Sequence, residues 1–455
     1  MNKTYPNYIE SGIEWLGEMP GHWSLSKLKH ASQVNPRKGS SDFEKDSGKL
    51  VTFLPMEKVS EDGRIDTSIQ KPISDLWSGY TYFERGDTIV AKITPCFENG
   101  KAAHLSDLGC PIGFGSTEFH VLRPRDEVSD GRFLYYLAFS HVFRETGEAF
   151  MTGAAGQKRI PTQFVEEFDL ALPPLPEQRT IAAYLDLKTA QIDTLIAKKQ
   201  RLIDLLQEQR TAVINRAVTQ GLDPDAPMQD SGIEWLGEVP AHWSLPKLKW
   251  ITTKIGSGST PRGGSEVYQE DGVIFLRSQN IQFDGLDLED VAYISENIHA
   301  DMERSAVEPG DVLLNITGAS IGRCTYVPRD FDPANVNQHV CIVRPMDAIT
   351  SEYLQVVLAS KVGQYQVFSL QDGSSREGLN FAQLGSFAIP LPDIEEQKAI
   401  ARAAKTETDK IDEVVSREKK EINLLQELRT SLISEVVTGK IDVRDEVSER
   451  GEVAV

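Results

Sequence analysis

The chain carries one long sequence twice. Ser11-Gly-Ile-Glu-Trp-Leu-Gly-Glu-Met-Pro-Gly-His-Trp23 returns at Ser231 as Ser-Gly-Ile-Glu-Trp-Leu-Gly-Glu-Val-Pro-Ala-His-Trp243, 220 positions later. Leu172-Pro-Pro-Leu-Pro-Glu-Gln178 is answered by Leu391-Pro-Asp-Ile-Glu-Glu-Gln397, 219 positions later. A period this long exceeds the roughly 20–50 residues of a solenoid repeat, so each copy is long enough to build a domain with its own core. The repeat predicts approximate two-fold symmetry inside one chain, which suits a ligand that itself comes in two halves.

Each copy reads the same way from end to end. Trp15 and Trp23, matched by Trp235 and Trp243, stand in a lead-in beside Pro20 and Pro240 and are expected to pack as domain anchors. Short apolar runs bounded by Gly, Pro and Asp follow and read as strands: Val51–Leu54 with Val273–Leu276, Gly86–Thr94 with Gly310–Thr317, and His120–Pro124 with Cys341–Pro345. The offset drifts from 220 to 224 and back to 219. Strands therefore correspond while the loops between them differ, which predicts one scaffold with two unlike specificities.

Each copy closes with a helix of about 40 residues beginning after the breaks at Pro173-Pro174-Leu-Pro176 and Pro390-Leu-Pro392. Ile192, Ile196, Ile203, Leu206, Val213 and Ala217 mark a heptad-like seam, and Ile411, Val415, Ile422, Leu425, Leu432 and Val436 repeat it. Lys199, Arg210, Glu418 and Arg429 interrupt these seams. A helix of that length runs about 60 Å, too far to be covered by one small domain. Two such helices related by an internal two-fold must run antiparallel, with the globular domains at opposite ends. Leu195, Leu202, Leu205, Val414 and Leu424 lie outside the seam, and either widen the intramolecular contact or offer a surface for additional protein. The fold class expected is α+β: two β-rich mixed α/β domains joined by two long antiparallel helices. The expected borders are 1–171 and 223–390 for the domains, 172–222 and 391–440 for the helices, and 441–455 for a disordered acidic tail.

A net charge of −20 argues against a chain that wraps nucleic acid with its whole surface, but leaves room for a local basic face. No apolar run of membrane-spanning length and no secretion-type N-terminus is present, so the expectation is a cytoplasmic protein. Cys96, Cys110, Cys324 and Cys341 lack metal-ligand spacing and read as reduced, packed thiols. The phosphate loop, the dinucleotide fingerprint, the zinc-protease helix and the nucleophile elbow are all missing, as is an Asn-Pro-Pro-aromatic motif for base methylation. A binding protein fits better than an enzyme.

The loops combine Gly or Ser with residues that match base edges and phosphates. In the first copy the candidates for DNA contact are Arg37, Lys38, Lys92, Gln157, Lys158 and Arg159. In the second copy they are Arg262, Arg277, Gln279, Asn280, Arg323, Arg376 and Asn380.

The repeated Trp-bearing lead-in, the closing Leu-Pro-x-x-x-Glu-Gln before a long helix and their ordered duplication resemble the DNA-specificity subunit of type I restriction-modification systems, over the whole chain up to the acidic tail. The resemblance implies a non-catalytic subunit whose two target-recognition domains each read half of a bipartite double-stranded DNA site through the major groove. The helices would set the spacer and dock two methyltransferase subunits, with motor-nuclease subunits joining for restriction. No cofactor is expected in this chain; S-adenosylmethionine, ATP and magnesium would belong to the partners. Half-sites read from one DNA face lie about 34 Å apart, a distance that helices near 60 Å can set. The acidic balance predicts weak, salt-sensitive binding by the isolated chain. A stand-alone DNA-binding regulator and a duplicated peptide or glycan adaptor are the rival readings.

Overall fold

The structure, a computed structural model, describes residues 3–38, 48–154, 156–369 and 378–446. Arg376 lies outside them. The two long helices are Leu175–Gln220, here the central helix, and Ile394–Val437, the C-terminal helix. The central helix starts one residue ahead of Pro176 rather than after it, because a first-turn proline has no helical partner to lose for its missing N–H.

The compact units do not follow the repeat borders. Unit 1 comprises Met1–Lys199 with Lys420–Val455, and unit 2 comprises Gln200–Lys419. Burial explains this correction to the expected division. The core of unit 1 takes Ile181, Ala182 and Leu185 from the central helix together with Ile433, Val436 and Val437 from the C-terminal helix. That of unit 2 takes Ile400 and Ala401 from the C-terminal helix together with Ala217 and Val218 from the central one. Each head thus buries the end of the helix that belongs to the other repeat. Hydrogen bonds mark the same exchange: the His141 N–H donates to Ser434 Oγ at 3.1 Å in unit 1, and the Lys361 N–H to Asn215 Oδ1 at 2.7 Å in unit 2.

Within each unit the helix segments run antiparallel. In unit 1 Arg429 donates to Asp193 and Lys199 to Glu421, so residue numbers rise along one helix as they fall along the other. In unit 2 Arg210 donates to Asp412 at 3.1 Å. The charged interruptions Lys199, Arg210 and Arg429 are therefore members of cross-helix ion pairs, and Glu418 is buried. Towards the helix ends burial widens to take in Ile214, Val218, Ile433 and Val437 beside the seam residues Ala217 and Val436.

Both heads use one frame. Unit 1 has an antiparallel sheet in the order Ser32–Val34, Phe119–Pro124, Thr88–Ala91, Ala102–His104; unit 2 repeats it with Thr252–Ser257, Val340–Pro345, Val312–Asn315, Cys324–Tyr326. A second, mixed sheet pairs Leu50–Leu54 in parallel with Ile112–Gly115, and in unit 2 Val273–Leu276 in parallel with Ala334–Val336. The strand edges are pinned by a Gly-Asp turn: Arg123 forks onto buried Asp87 at 2.8 Å and reaches Glu84, while Arg344 makes the same contacts to Asp311 and Glu308. The lead-in tryptophans pack as anchors, Trp23 and Trp243 buried, Trp15 stacked on Phe168 and Trp235 on Tyr365.

The expected disordered tail needs a correction at its start. Ile441 and Val443 are buried, the Asp442 N–H donates to Lys3 O at 2.8 Å, and the Arg444 guanidinium lies 4.9 Å from the Tyr5 ring centre. Gly439, at φ +74°, lies so close to Pro20 that a Cβ there would come within 2.5 Å. Apolar burial against the lead-in outweighs the local charge. Residues 447–455 lie outside the described residues.

Candidate nucleic-acid interface

In unit 1 the structure gathers four of the six sequence candidates where the strand Thr88–Ala91 ends. Residues 152–154 and 156–159 lie there: Thr152 and Arg159 exchange backbone hydrogen bonds, and Ile160 N donates to Lys92 O at 3.0 Å. Gly153 permits this pairing; at φ +132°, a Cβ would sit 2.8 Å from Gln157 O. Lys158 N donates to Thr94 Oγ1 at 3.1 Å, tying the loop to the strand end, while the Gln157, Lys158 and Arg159 side chains stay exposed. Lys92 Nζ donates to Thr117 O at 3.0 Å; burial pushes its ammonium below the ordinary lysine range, with Glu118 opposing. Arg159 forks onto Glu118 through Nε and Nη2 at 2.8 and 2.9 Å, and its Nη1 donates to Gln157 O at 3.3 Å.

Two residues that sequence reasoning missed organise this corner. Asn35, at φ 50°, accepts from Val121 N and faces His120 Nδ1 at 3.1 Å. His120 is buried, with Nε2 3.2 Å from Ile160 O. Burial pushes its pKa down to about 4, so the ring is neutral, donating from Nε2 and accepting at Nδ1. The sequence showed His120 only as the start of a strand, and no spacing signal tied it to Asn35. Arg37 is exposed beyond this corner, while Lys38 turns away, donating to Trp77 O and lying over the Trp77 ring.

In unit 2 four candidates, Arg277, Gln279, Asn280 and Arg323, are linked through Asp290 and Gln282. Arg262 is exposed in the loop at 258–264, which Thr260 ties to Gln338. Gln338 in turn meets His339 Nε2 at 2.9 Å, and His339 Nδ1 lies 2.5 Å from Thr317 Oγ1. Arg277 and Gln279 are both engaged on Asp290, and Arg323 donates to Gln282 Oε1 at 3.0 Å. Two candidates are structural as placed. Asn280 is only 1% exposed; its side chain closes the 3-10 turn Ser278–Asn280 and donates to Asp287 O and Asp290 O. Asn380 caps the helix Phe381–Gly385 in a reciprocal pair with Gln383. Asparagine suits both uses, base edge and cap, so its identity alone could not separate them. Buried Asn315, also unforeseen, donates to Ser278 O and Ser320 Oγ, and its Oδ1 has no hydrogen-bond partner among the described residues.

Backbone hydrogen bonds align the two corners residue by residue. Lys92 N donates to Glu118 O as Ile316 N does to His339 O, and Ile160 N to Lys92 O as Leu379 N does to Ile316 O. The bridge Ile93–Arg159 has its counterpart in Thr317–Gly378. The same three frame positions thus carry Lys92, Glu118 and Arg159 in unit 1 but Ile316, His339 and Gly378 in unit 2.

The family described as Type I restriction modification DNA specificity domain matches residues 80–204 and 248–424. Among relatives, the chain is 26% identical over 337 residues to the type I restriction enzyme MjaVIII specificity subunit of Methanocaldococcus jannaschii, covering 73% of this chain and 75% of that one. It is 42% identical over 166 residues to the Escherichia coli EcoAI specificity subunit, a match spanning 36% of this chain and 27% of that relative. In fold it is similar to a chain from a structure concerning complex assembly and conformational transition of the type I R-M system, at TM-score 0.74 and 17% identity over 92% of this chain and 98% of that one. The HsdS subunit from Thermoanaerobacter tengcongensis follows at TM-score 0.56 and 17% identity, over 95% of this chain and all of that one. With both copies of the repeat matched, over more than half its length, the chain belongs to the type I restriction-modification DNA specificity family.

Proposed function

We propose that this chain is the non-catalytic targeting subunit of a type I restriction-modification complex, in which each head reads one half of an asymmetric bipartite DNA site. The observation that carries the reading is the matched corner: one backbone frame presents Lys92, Glu118 and Arg159 in one head and Ile316, His339 and Gly378 in the other. A cation with a forked guanidinium suits guanine edges or phosphates, whereas an imidazole beside an apolar side chain suits a different base set. Around the corners, Arg37, Gln157, Lys158, Arg262, Arg277, Gln279 and Arg323 supply further contacts; Arg376 is carried as a contact from the sequence alone.

The long helices set the spacer and dock two methyltransferase subunits, with motor-nuclease subunits completing the restriction complex. Leu195, Leu202 and Leu205 are exposed at spacings that keep them on one face of the central helix, and Leu424 is 61% exposed on the C-terminal helix. Leu428, which the sequence reading passed over, is exposed one turn further on; Val414 is half-buried and contributes less. S-adenosylmethionine, ATP and magnesium act on the partner subunits. The chemistry takes place in the cytoplasm, where the DNA is. No helix among the described residues is long and apolar enough to cross a membrane.

The test is to co-express the chain with its methyltransferase partners and map methylated adenines genome-wide. An asymmetric two-part motif is expected, and K92I/R159G should change base preference in one half only. Loss of preference in both halves at once, or nanomolar specific binding by the isolated chain at physiological salt, would overturn the reading.

A further inference from the structure

The two acidic-amide pairs that open the long helices tie each helix to its head. Glu177, in the first turn of the central helix, is buried, and its carboxylate is fully engaged. Oε1 accepts from the Tyr5 hydroxyl at 2.7 Å and from Trp23 Nε1 at 3.0 Å, and Oε2 meets His22 Nε2 at 2.7 Å. All three partners come from the lead-in. The next residue, fully buried Gln178, reaches a different part of the head: it accepts from Asp130 N at 2.9 Å and donates to Val128 O at 2.9 Å and Pro173 O at 2.8 Å. Asp130 is the residue that caps the helix Gly131–Phe139. Two adjacent side chains thus clamp the root of the helix to two separate parts of its head.

Unit 2 repeats the clamp with fewer bonds. Glu396 accepts from His242 Nε2 at 2.8 Å and Trp243 Nε1 at 3.1 Å, both on Oε2. Gln397 accepts from Thr350 N at 2.9 Å and donates to Ala348 O and Pro392 O, each at 3.0 Å. No tyrosine takes the place of Tyr5 in the bonds to Glu396 among the described residues.

Resting on the reading of this chain as a two-headed DNA reader, we propose that Glu177–Gln178 and Glu396–Gln397 are positioning residues: they fix the direction in which each long helix leaves its head, and so the spacer length the chain accepts. Leverage gives the effect its size. A tilt of about 5° at the root moves a point 40 Å along a rigid helix by about 3.5 Å, one base-pair step. Charge-assisted bonds to a buried carboxylate are the kind able to hold a root to that tolerance. Three donors on both oxygens hold unit 1 more stiffly than two donors on one oxygen hold unit 2.

The experiment uses the full chain assembled with its methyltransferase subunits and DNA whose half-sites are constant while the spacer varies one base pair at a time. The wild-type complex should methylate one spacer best. In E177Q the discrimination between that spacer and its neighbours falls about tenfold, the scale of one lost charge-assisted hydrogen bond, with base preference in each half-site unchanged. E396Q shifts the profile the same way by about threefold, having fewer bonds to lose. Because E177Q can loosen the whole lead-in, H22N serves as a second variant that removes the imidazole from Oε2, with an expected change of about threefold. A rate that falls equally at every spacer, or an altered half-site sequence, would overturn the positioning role. A wild-type complex that methylates no bipartite site would instead overturn the reading beneath it.

Discussion

Where unit 1 places Lys92, Glu118 and Arg159, unit 2 places Ile316, His339 and Gly378, on strand ends held by the same backbone hydrogen bonds. Parts of the scaffold are chemically alike in the two units: the Gly-Asp turn with its forked arginine, the buried lead-in tryptophan and the glutamine at the helix root recur with nearly the same distances. A third class of position exchanges charge. Arg132 pairs with Asp186 in unit 1, and Glu352 and Lys405 occupy the corresponding helix positions in unit 2. The comparison teaches that duplication preserved what holds a head together and released what a head presents.

The sharpest way to break that comparison is to attack what is shared. Arg123→Ala and Arg344→Ala each leave a buried aspartate, Asp87 or Asp311, without its ion-pair partner, and each should cost about 3–5 kcal/mol by chemical denaturation. Equal costs would confirm a common scaffold element; a marked difference between the two would show that the heads only look alike.

The next effect separates the units by pH. His120 has its pKa depressed to about 4, so the folded head binds fewer protons than the unfolded chain, whose histidine titrates near 6.5. Its stability contribution is therefore complete above pH 6.5 and is lost as pH falls toward 4, about 2 kcal/mol of it by pH 5. Cys341 stands at the equivalent strand position in unit 2, where burial pushes the thiol up to about 12 and no titration falls in that window. Thermal unfolding between pH 7 and 5 should show unit 1 losing stability in the wild type and less so in His120→Asn. An unchanged slope in that variant would remove His120 as the cause.

The smallest effect concerns the exchanged charges. Arg132 and Asp186 are both substantially exposed, so R132E should cost under about 1 kcal/mol. Adding D186K should recover it, because the pair then has the polarity of unit 2; failure to recover would mean that Tyr136, which donates to Asp186 at 2.7 Å, matters more than the charge.

Much of this architecture could be read before any coordinates. The strand runs at Val51, Gly86 and His120 and their counterparts occupy matching places in the sheets, and the long helices begin within or just after the proline breaks. Alternating apolar runs and heptad spacing are local signals, and local signals survive in sequence. The candidate site was legible only in part. Lys92 and residues 157–159 come together because two distant segments meet, and neither Asn35 nor His120 carries a mark of that meeting. Asn280 and Asn380 went the other way, since a capping asparagine and a base-reading one look the same in sequence.

The sequence by itself determined that there are two heads, that each ends in a long helix and that their loops diverge, because repetition and periodicity are written along one chain. Only the tertiary structure decided which helix end each head covers, and that charged breaks in the seam enter cross-helix pairs such as Arg429 with Asp193. Burial joins residues more than two hundred positions apart, and a one-dimensional pattern records which surfaces are apolar without recording which of them meet.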